Sequence, residues 1–533
     1  MPPKPQPLSI LRLVQSFLSA APVAVACLAA PSASAQTITA VMQSGLRMLD
    51  PAITTISMST YHGYMIYDTL LSLDSNYKVQ PQMADWEESA DGKVYTFTLR
   101  DGLKWHDGAP VTSEDCIASI KRWAQQDKIG QMLMPMVSAM NVLDEKRFEI
   151  VVTDPTPLVL QGLSKVGGPV PVMMPKRMAE TPSTEAVKEH IGSGPFKFIA
   201  NEFRPNTKVV YERNTDYIPR SEPPSWTAGG KVVKVDRVEW VTMPDQMTAV
   251  NALMNNEIDY MEVMPFDLLP VVQQNEDIQV QLIGKLGYQS VYRFNFTQPP
   301  FNDKLLRKAA MHAIGQQGVM TAVVGNPEYF QTCGAVFGCR GPFAFTDDTD
   351  WIIKPNVEKA KALLKEANYD GAPVVLLHAT DNPLLSAQPV VMAQDLRKAG
   401  FKVEMQSMDW QTLASRRTST KPVGEGGWNI FVTSWPLTDM LDPLRYPAVA
   451  ANGPKAWFGW PDFPEIEELR DKFSLTTDSA EQKSLVHRLQ EIILDEGVIV
   501  PLGEYQVPSA YSKKLSGVID APVYLFWNIE KAK

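Results

Sequence analysis

The chain carries 533 residues, with 50 Lys and Arg against 60 Asp and Glu and a formal net charge of −10. That balance excludes a partner gripped through a basic face, so nucleic acid is not expected, and it offers no polybasic patch to anionic lipid. The length is too great for one hydrophobic core and suits two or three domains.

Residues 1–35 read as a signal peptide. Lys4 and Arg12 form a basic start, Leu13 to Ala30 is mostly apolar and small, and Ala33-Ser34-Ala35 supplies an A-x-A cleavage site before Gln36. The remaining chain is expected to be exported to the periplasm and soluble. A lipid anchor at Cys27 is not expected, because Ala24-Val25-Ala26 lacks a Leu three positions before the Cys.

Further along, Asp91-Gly92 supplies turn chemistry ahead of Tyr95, Phe97 and Leu99, which alternate with Thr96, Thr98 and Arg100 as a half-buried strand. His106-Asp107 reads as structural hydrogen bonding in a loop, since no nucleophile accompanies the pair. Thr112 is placed to cap a helix with Glu114 and Asp115 in its first turn and Ile117, Ile120 and Trp123 on one face. Arg147 to Val152 and Val238 to Val241 read as strands, and Pro219 to Pro224 as a loop. Val357 to Asn368 reads as a helix. Val374 to Leu377 as a buried strand, Val391 to Ala399 as a helix ended by Gly400, and Phe401 to Met405 as a second strand form a β-helix-β unit, which implies parallel pairing. Gly426 to Val432 reads as a turn and a buried strand, and Leu485, Leu489, Ile492 and Ile493 mark a core-facing helix ending near Gly497.

Cys333 and Cys339 lie in a Gly-rich stretch, and in an exported chain the pair reads as a disulfide rather than a metal site, because further ligands at metal spacing are missing. Cys116 falls inside the capped helix as a buried thiol. Nucleophile-elbow, phosphate-loop and zinc-helix motifs are absent, and the six histidines are scattered singly. No catalytic residue, cofactor or metal is expected.

Several long phrases exceed what amphipathicity requires. They are Tyr67-Asp68-Thr69-Leu70-Leu71, Asp91-Gly92-Lys93 leading into Tyr95 to Arg100, Trp105-His106-Asp107-Gly108 with Thr112 to Asp115, Gly192 to Phe196, Asn214 to Tyr217, Glu257 to Tyr260, Pro300 to Asp303, Leu306 to Ala309 and Ala360 to Leu364. Through them the chain resembles the extracytoplasmic solute-binding proteins of peptide-type ABC importers, solute-binding protein family 5. The resemblance implies a bilobal α/β periplasmic-binding-protein fold of type II with an extra domain, the ligand enclosed between two α/β lobes. Carried onto this chain, the first lobe combines 36–70, 200–288 and 505–533, the extra domain is 71–199, and the second lobe is 289–504. Where relatives often have an acidic residue after Ala313-Ile314, this chain reads Gly315-Gln316-Gln317.

The resemblance also points to ligand-binding residues. In peptide-binding relatives an Asp placed like Asp439, after a Trp placed like Trp435, pairs with the ligand's α-ammonium group, a charge-assisted contact. Trp435 has a competing reading as a core side chain, and Asp439 as a helix cap. Asp442 before Pro443 reads as a turn starter. Trp410 is a second candidate wall, and Trp457, Phe458 and Trp460 an aromatic loop near the cleft or its rim. Dipeptide-binding relatives place a carboxylate-holding Arg just after the strand matching Val374 to Leu377. Here the stretch reads His378-Ala379-Thr380-Asp381-Asn382, which argues against a free dipeptide. Thr380 and Asp381 join Asp439, Trp435 and Trp410 in the expected ligand-binding set. The expected partners are a small-molecule or peptide ligand and the membrane subunits of an ABC permease, with the receptor a monomer. A secreted chaperone or signalling receptor on the same fold is the alternative, and a hydrolase a more distant one.

Overall fold

The computed structural model describes residues 36–476 and 478–532. The expected signal peptide and Cys27 lie outside the described residues.

Two sheets organise the molecule. The first has seven strands in the order Phe196–Phe198, Lys208–Arg213, Arg237–Val241, Thr37–Val41, Tyr260–Met261, Pro508–Ser512 and Ile278–Leu282. Thr37–Val41 sits at its centre, parallel to both neighbours. The second has six strands in the order Phe330–Gln331, Val500–Tyr505, Tyr288–Phe294, Ile430–Pro436, Val374–Ala379 and Val403–Met408. A four-stranded antiparallel sheet formed by Ala84–Glu88, Val94–Leu99, Arg147–Val152 and Val137–Val142 stands apart from both.

The chain crosses between the two large sheets twice, at 283–287 and again at 506–507. The crossings lie side by side, because the flanking residues Tyr288 and Tyr505 pair in the antiparallel ladder. Gly284 and Gly287 hold φ of 68° and 79°, and a Cβ on Gly287 would meet the Tyr505 carbonyl oxygen at 2.4 Å. Backbone freedom and close approach together require glycine there.

Local chemistry explains the elements. Thr112 caps the helix Ser113–Ala124 through a capping box with Asp115, and Ile120 and Trp123 are fully buried beneath it. Burial also raises the Cys116 thiol well above its ordinary range, leaving it unreactive. Val374–Ala379 and Val403–Met408 pair in parallel around the helix Ala387–Ala399, which Gly400 ends at φ 111°. That helix starts a turn earlier than its apolar pattern indicates; Pro389 lies in the first turn, where no intrahelical donor is needed. His106 is structural: its Nε2 lies 3.2 Å from the Gly194 carbonyl oxygen, its Nδ1 accepts from the Gly192 amide, and burial lowers its pKa to about 4.

The Cys333–Cys339 disulfide forms. Gln316, in the segment that departs from the family pattern, is fully buried and holds the disulfide loop. Its Oε1 accepts from the Cys333 amide at 2.8 Å, and its Nε2 donates to the Cys333 and Pro501 carbonyls. Among the described residues, no helix is long and apolar enough to cross a membrane.

Candidate ligand-binding site

The strand Thr37–Val41 of the first sheet and the strands Ile430–Pro436 and Val374–Ala379 of the second are followed directly by segments that face one cavity between the sheets. Ligands in α/β folds usually lie beyond such carboxyl ends. The cavity measures about 80 Å³, well below the 300 Å³ or so of an ordinary ligand pocket, so the lobes stand close together in this structure. A second hollow of about 610 Å³ borders it, sharing Tyr288, Pro436, Thr438 and Pro522.

Asp439 occupies a short helical turn, Leu437–Asp439, directly after the strand Ile430–Pro436. It is 8% exposed, and among the described residues nothing donates a hydrogen bond to its carboxylate. Burial raises its pKa to about 6; Lys165 and Arg445 work against that rise and Asp127 adds to it. Both nearby cations are already engaged, Lys165 by Asp127 and Arg445 by Asp442 at 3.0 Å. Asp439 is therefore a desolvated carboxylate with no dedicated counter-ion, and it caps no helix. Asp442 instead starts a turn, its Oδ1 accepting from the Leu444 and Arg445 amides.

Trp435 and Trp410 line the same cavity. Trp435 is 5% exposed and packs edge-on against Tyr446 and Trp457, both with ring centroids 5.5 Å away. It is at once a core side chain and a wall, so the two readings of it do not compete. Trp410 begins the helix Trp410–Arg416, which Asp409 caps.

Thr380 and Asp381 do not reach the cavity. Thr380 donates to the Met408 carbonyl, and the Asp381 carboxylate accepts from the Trp410 amide at 2.6 Å. The chain turns after them, so that Asn382, Leu384 and Leu385 face the cavity instead. Sequence reasoning missed Arg417, Gly167, Tyr61 and Gln43, which also line it. Gln43 is backed by Glu262, which accepts from its amide at 2.8 Å and its Nε2 at 2.7 Å. Burial raises the pKa of Glu262 to about 8, against the hydrogen bonds from Gln43 that lower it. The Gly167-Gly168 pair was the one local signal of a close backbone approach.

Two α/β lobes joined by paired crossings and enclosing a polar, aromatic cavity define a two-lobed solute receptor. The chain belongs to the bacterial extracellular solute-binding proteins, family 5, whose middle-region model matches residues 78–455. It is 41% identical over 492 residues, covering 91% of this chain and 92% of the relative, to a probable peptide ABC transporter periplasmic-binding protein of Sinorhizobium fredii. It is 26% identical over 533 residues, 97% of this chain and 98% of the relative, to a glutathione-binding protein of Pectobacterium atrosepticum. Among solved structures, the fold is similar to a periplasmic binding protein of A. tumefaciens R10 in complex with agropinic acid, with TM-score 0.78, 21% identity, and 93% and 99% of the two chains covered. It is equally similar to a Helicobacter pylori ABC transporter-associated binding protein in complex with the peptide STSA, with TM-score 0.78, 21% identity, and 93% and 98% covered.

Proposed function

We propose that this protein is the periplasmic solute-binding component of an ABC importer, taking a short peptide or amino-acid derivative that carries a free ammonium group. The observation that carries the reading is Asp439, a buried carboxylate in the cavity wall without a counter-ion of its own. An incoming ammonium supplies that counter-ion and forms an oriented, charge-assisted bond. The name of the Sinorhizobium relative supports the peptide class.

The cycle follows from the fold. The lobes part about the crossings at 283–287 and 506–507, the solute enters, and its preference for the closed state draws the lobes together. The closed receptor, acting as a monomer, then meets the permease and releases the solute unchanged. The division of lobes that goes with this motion is 36–70 with 200–288 and 505–533, against 289–504, with 71–199 as the extra domain.

A thermal-shift screen of short peptides and amino-acid derivatives tests the reading. A ligand at 100 times its Kd adds roughly 2.7 kcal/mol to stability. Chemical conversion of a stabilising compound would favour an enzyme, and no shift from any ammonium-bearing solute would remove the proposal.

A further inference from the structure

Five arginines are buried among the described residues, and four of them have an ion-pair partner or several hydrogen-bond partners of their own. Arg122 pairs with Asp50 at 2.8 Å, Arg307 with Glu496 at 3.0 Å and Arg470 with Glu467 at 2.6 Å. Arg293 donates to the backbone carbonyls of Phe458, Ala448, Val498 and Trp457. Arg417 is different. It is 5% exposed, its side chain makes no hydrogen bond or ion pair among the described residues, and its Nε is buried without an acceptor.

The surroundings of Arg417 are a built site. Its guanidinium carbon lies 4.8 Å from the ring centroid of Phe458, 5.5 Å from those of Trp410 and Trp457, and 5.8 Å from that of Phe431. Aromatic faces hold a cation in place but satisfy none of its five donors. The residue lines the same cavity as Asp439, and burial, with no nearby carboxylate to offset it, brings its pKa down to about 10. A guanidinium this desolvated is unfavourable in the ligand-free protein and strongly receptive to a planar anion.

We propose that Arg417 anchors a carboxylate of the ligand, so that the cavity selects a zwitterion with its ammonium group at Asp439 and its carboxylate at Arg417. The assignment rests on the peptide or amino-acid-derivative reading above and deepens it. It also reverses an expectation drawn from the stretch His378 to Asn382. The guanidinium missing after the strand Val374–Ala379 is supplied from the end of the helix Trp410–Arg416, so a free carboxyl terminus is again a natural occupant.

The test is calorimetry of the wild-type protein, Arg417→Met, Arg417→Lys and Asp439→Asn. The probes are di- and tripeptides as free acids, as C-terminal amides and as N-acetyl acids, with sugar-conjugated amino acids alongside. Wild type should bind the free acids at least thirtyfold more tightly than the amides. Arg417→Met should bring acid and amide within about threefold, with Arg417→Lys in between, while the penalty for N-acetylation persists in Arg417→Met and disappears in Asp439→Asn. The melting temperature of ligand-free Arg417→Met should equal or exceed that of wild type, because an unpaired buried charge is removed. Equal binding of acids and amides by wild type, or an acid preference that survives Arg417→Met, overturns the Arg417 assignment and leaves the peptide reading standing. If only acids lacking an ammonium group bind, and Arg417→Met abolishes that binding, Arg417 stands and the ammonium reading falls. Failure of every acid to bind at millimolar concentration overturns both, and a lower melting temperature for ligand-free Arg417→Met returns the residue to a purely structural role.

Discussion

The carboxylate of Asp439 lies directly against the backbone of Gly167, so that a Cβ at position 167 would meet Asp439 Oδ1 at 2.2 Å and Oδ2 at 2.3 Å. Gly167 follows Val166, a member of the core beneath the seven-stranded sheet, whereas Asp439 follows a strand of the six-stranded sheet. The contact therefore joins the two sides of the cavity. Gly167→Ala should weaken ligand binding roughly tenfold or more, about 1.4 kcal/mol, with little change in the melting temperature of the ligand-free protein, because displacing the Asp439 carboxylate breaks no hydrogen bond. Unchanged affinity by calorimetry would mean that the Asp439 side chain swings aside at no cost.

Asp439→Asn keeps the shape of the side chain and removes its charge. Losing one partner of a desolvated charge pair costs about 2 to 5 kcal/mol, or roughly thirtyfold to several thousandfold in affinity for an ammonium-bearing solute. The ligand-free variant should melt no lower than wild type, because no group in the folded protein depends on that carboxylate for a hydrogen bond. A lower melting temperature without ligand would return Asp439 to the scaffold.

The pH dependence has opposite signs for folding and binding. The folded pKa of Asp439, about 6, exceeds its ordinary 3.8, so the folded state holds the proton more tightly. Its contribution is fully present below pH 3.8 and is lost as pH rises through about 6, a change of roughly 3 kcal/mol. Glu262, raised from 4.5 to about 8, adds a second loss between those values. Denaturant melts of the ligand-free protein should show stability falling from pH 4.5 to 8, with the slope reduced in Asp439→Asn at the acid end and in Glu262→Gln above pH 6. Binding of a cationic solute should instead weaken below pH 6 by up to tenfold per pH unit, in wild type and not in Asp439→Asn.

The Cys333–Cys339 bridge closes a short loop held by Gln316, and Glu504 accepts from the Cys339 amide one residue before the second crossing strand ends at Tyr505. Closing a loop of this length is worth about 2 kcal/mol through the unfolded state. The double variant Cys333→Ser, Cys339→Ser should lose that much in a chemical melt. Peptide mapping of the non-reduced exported protein should recover the linked pair, and two free thiols would rule the bridge out.

Much of this was legible because it is local. Thr112 and Asp115 lie three residues apart and form their capping box within one turn, and the period-2 pattern of Tyr95, Phe97 and Leu99 determines which face of their strand is buried. Trp435 and Asp439, to which the resemblance pointed, lie at the end of a buried strand and on the turn that follows it, where α/β folds place ligands. Arg417 was not legible. In sequence, Arg416 and Arg417 look like two basic residues at a helix end, favoured there by the dipole and open to solvent. Arg416 does turn outward to the Gly426 and Gly427 carbonyls, while Phe431, Trp457 and Phe458, from 14 to 41 residues further along, close over Arg417. Periodicity and capping act over a few residues and so determine the elements, whereas desolvation of a charge is set by whatever the fold packs around it. Only the tertiary structure could decide which of two adjacent arginines became part of the cavity.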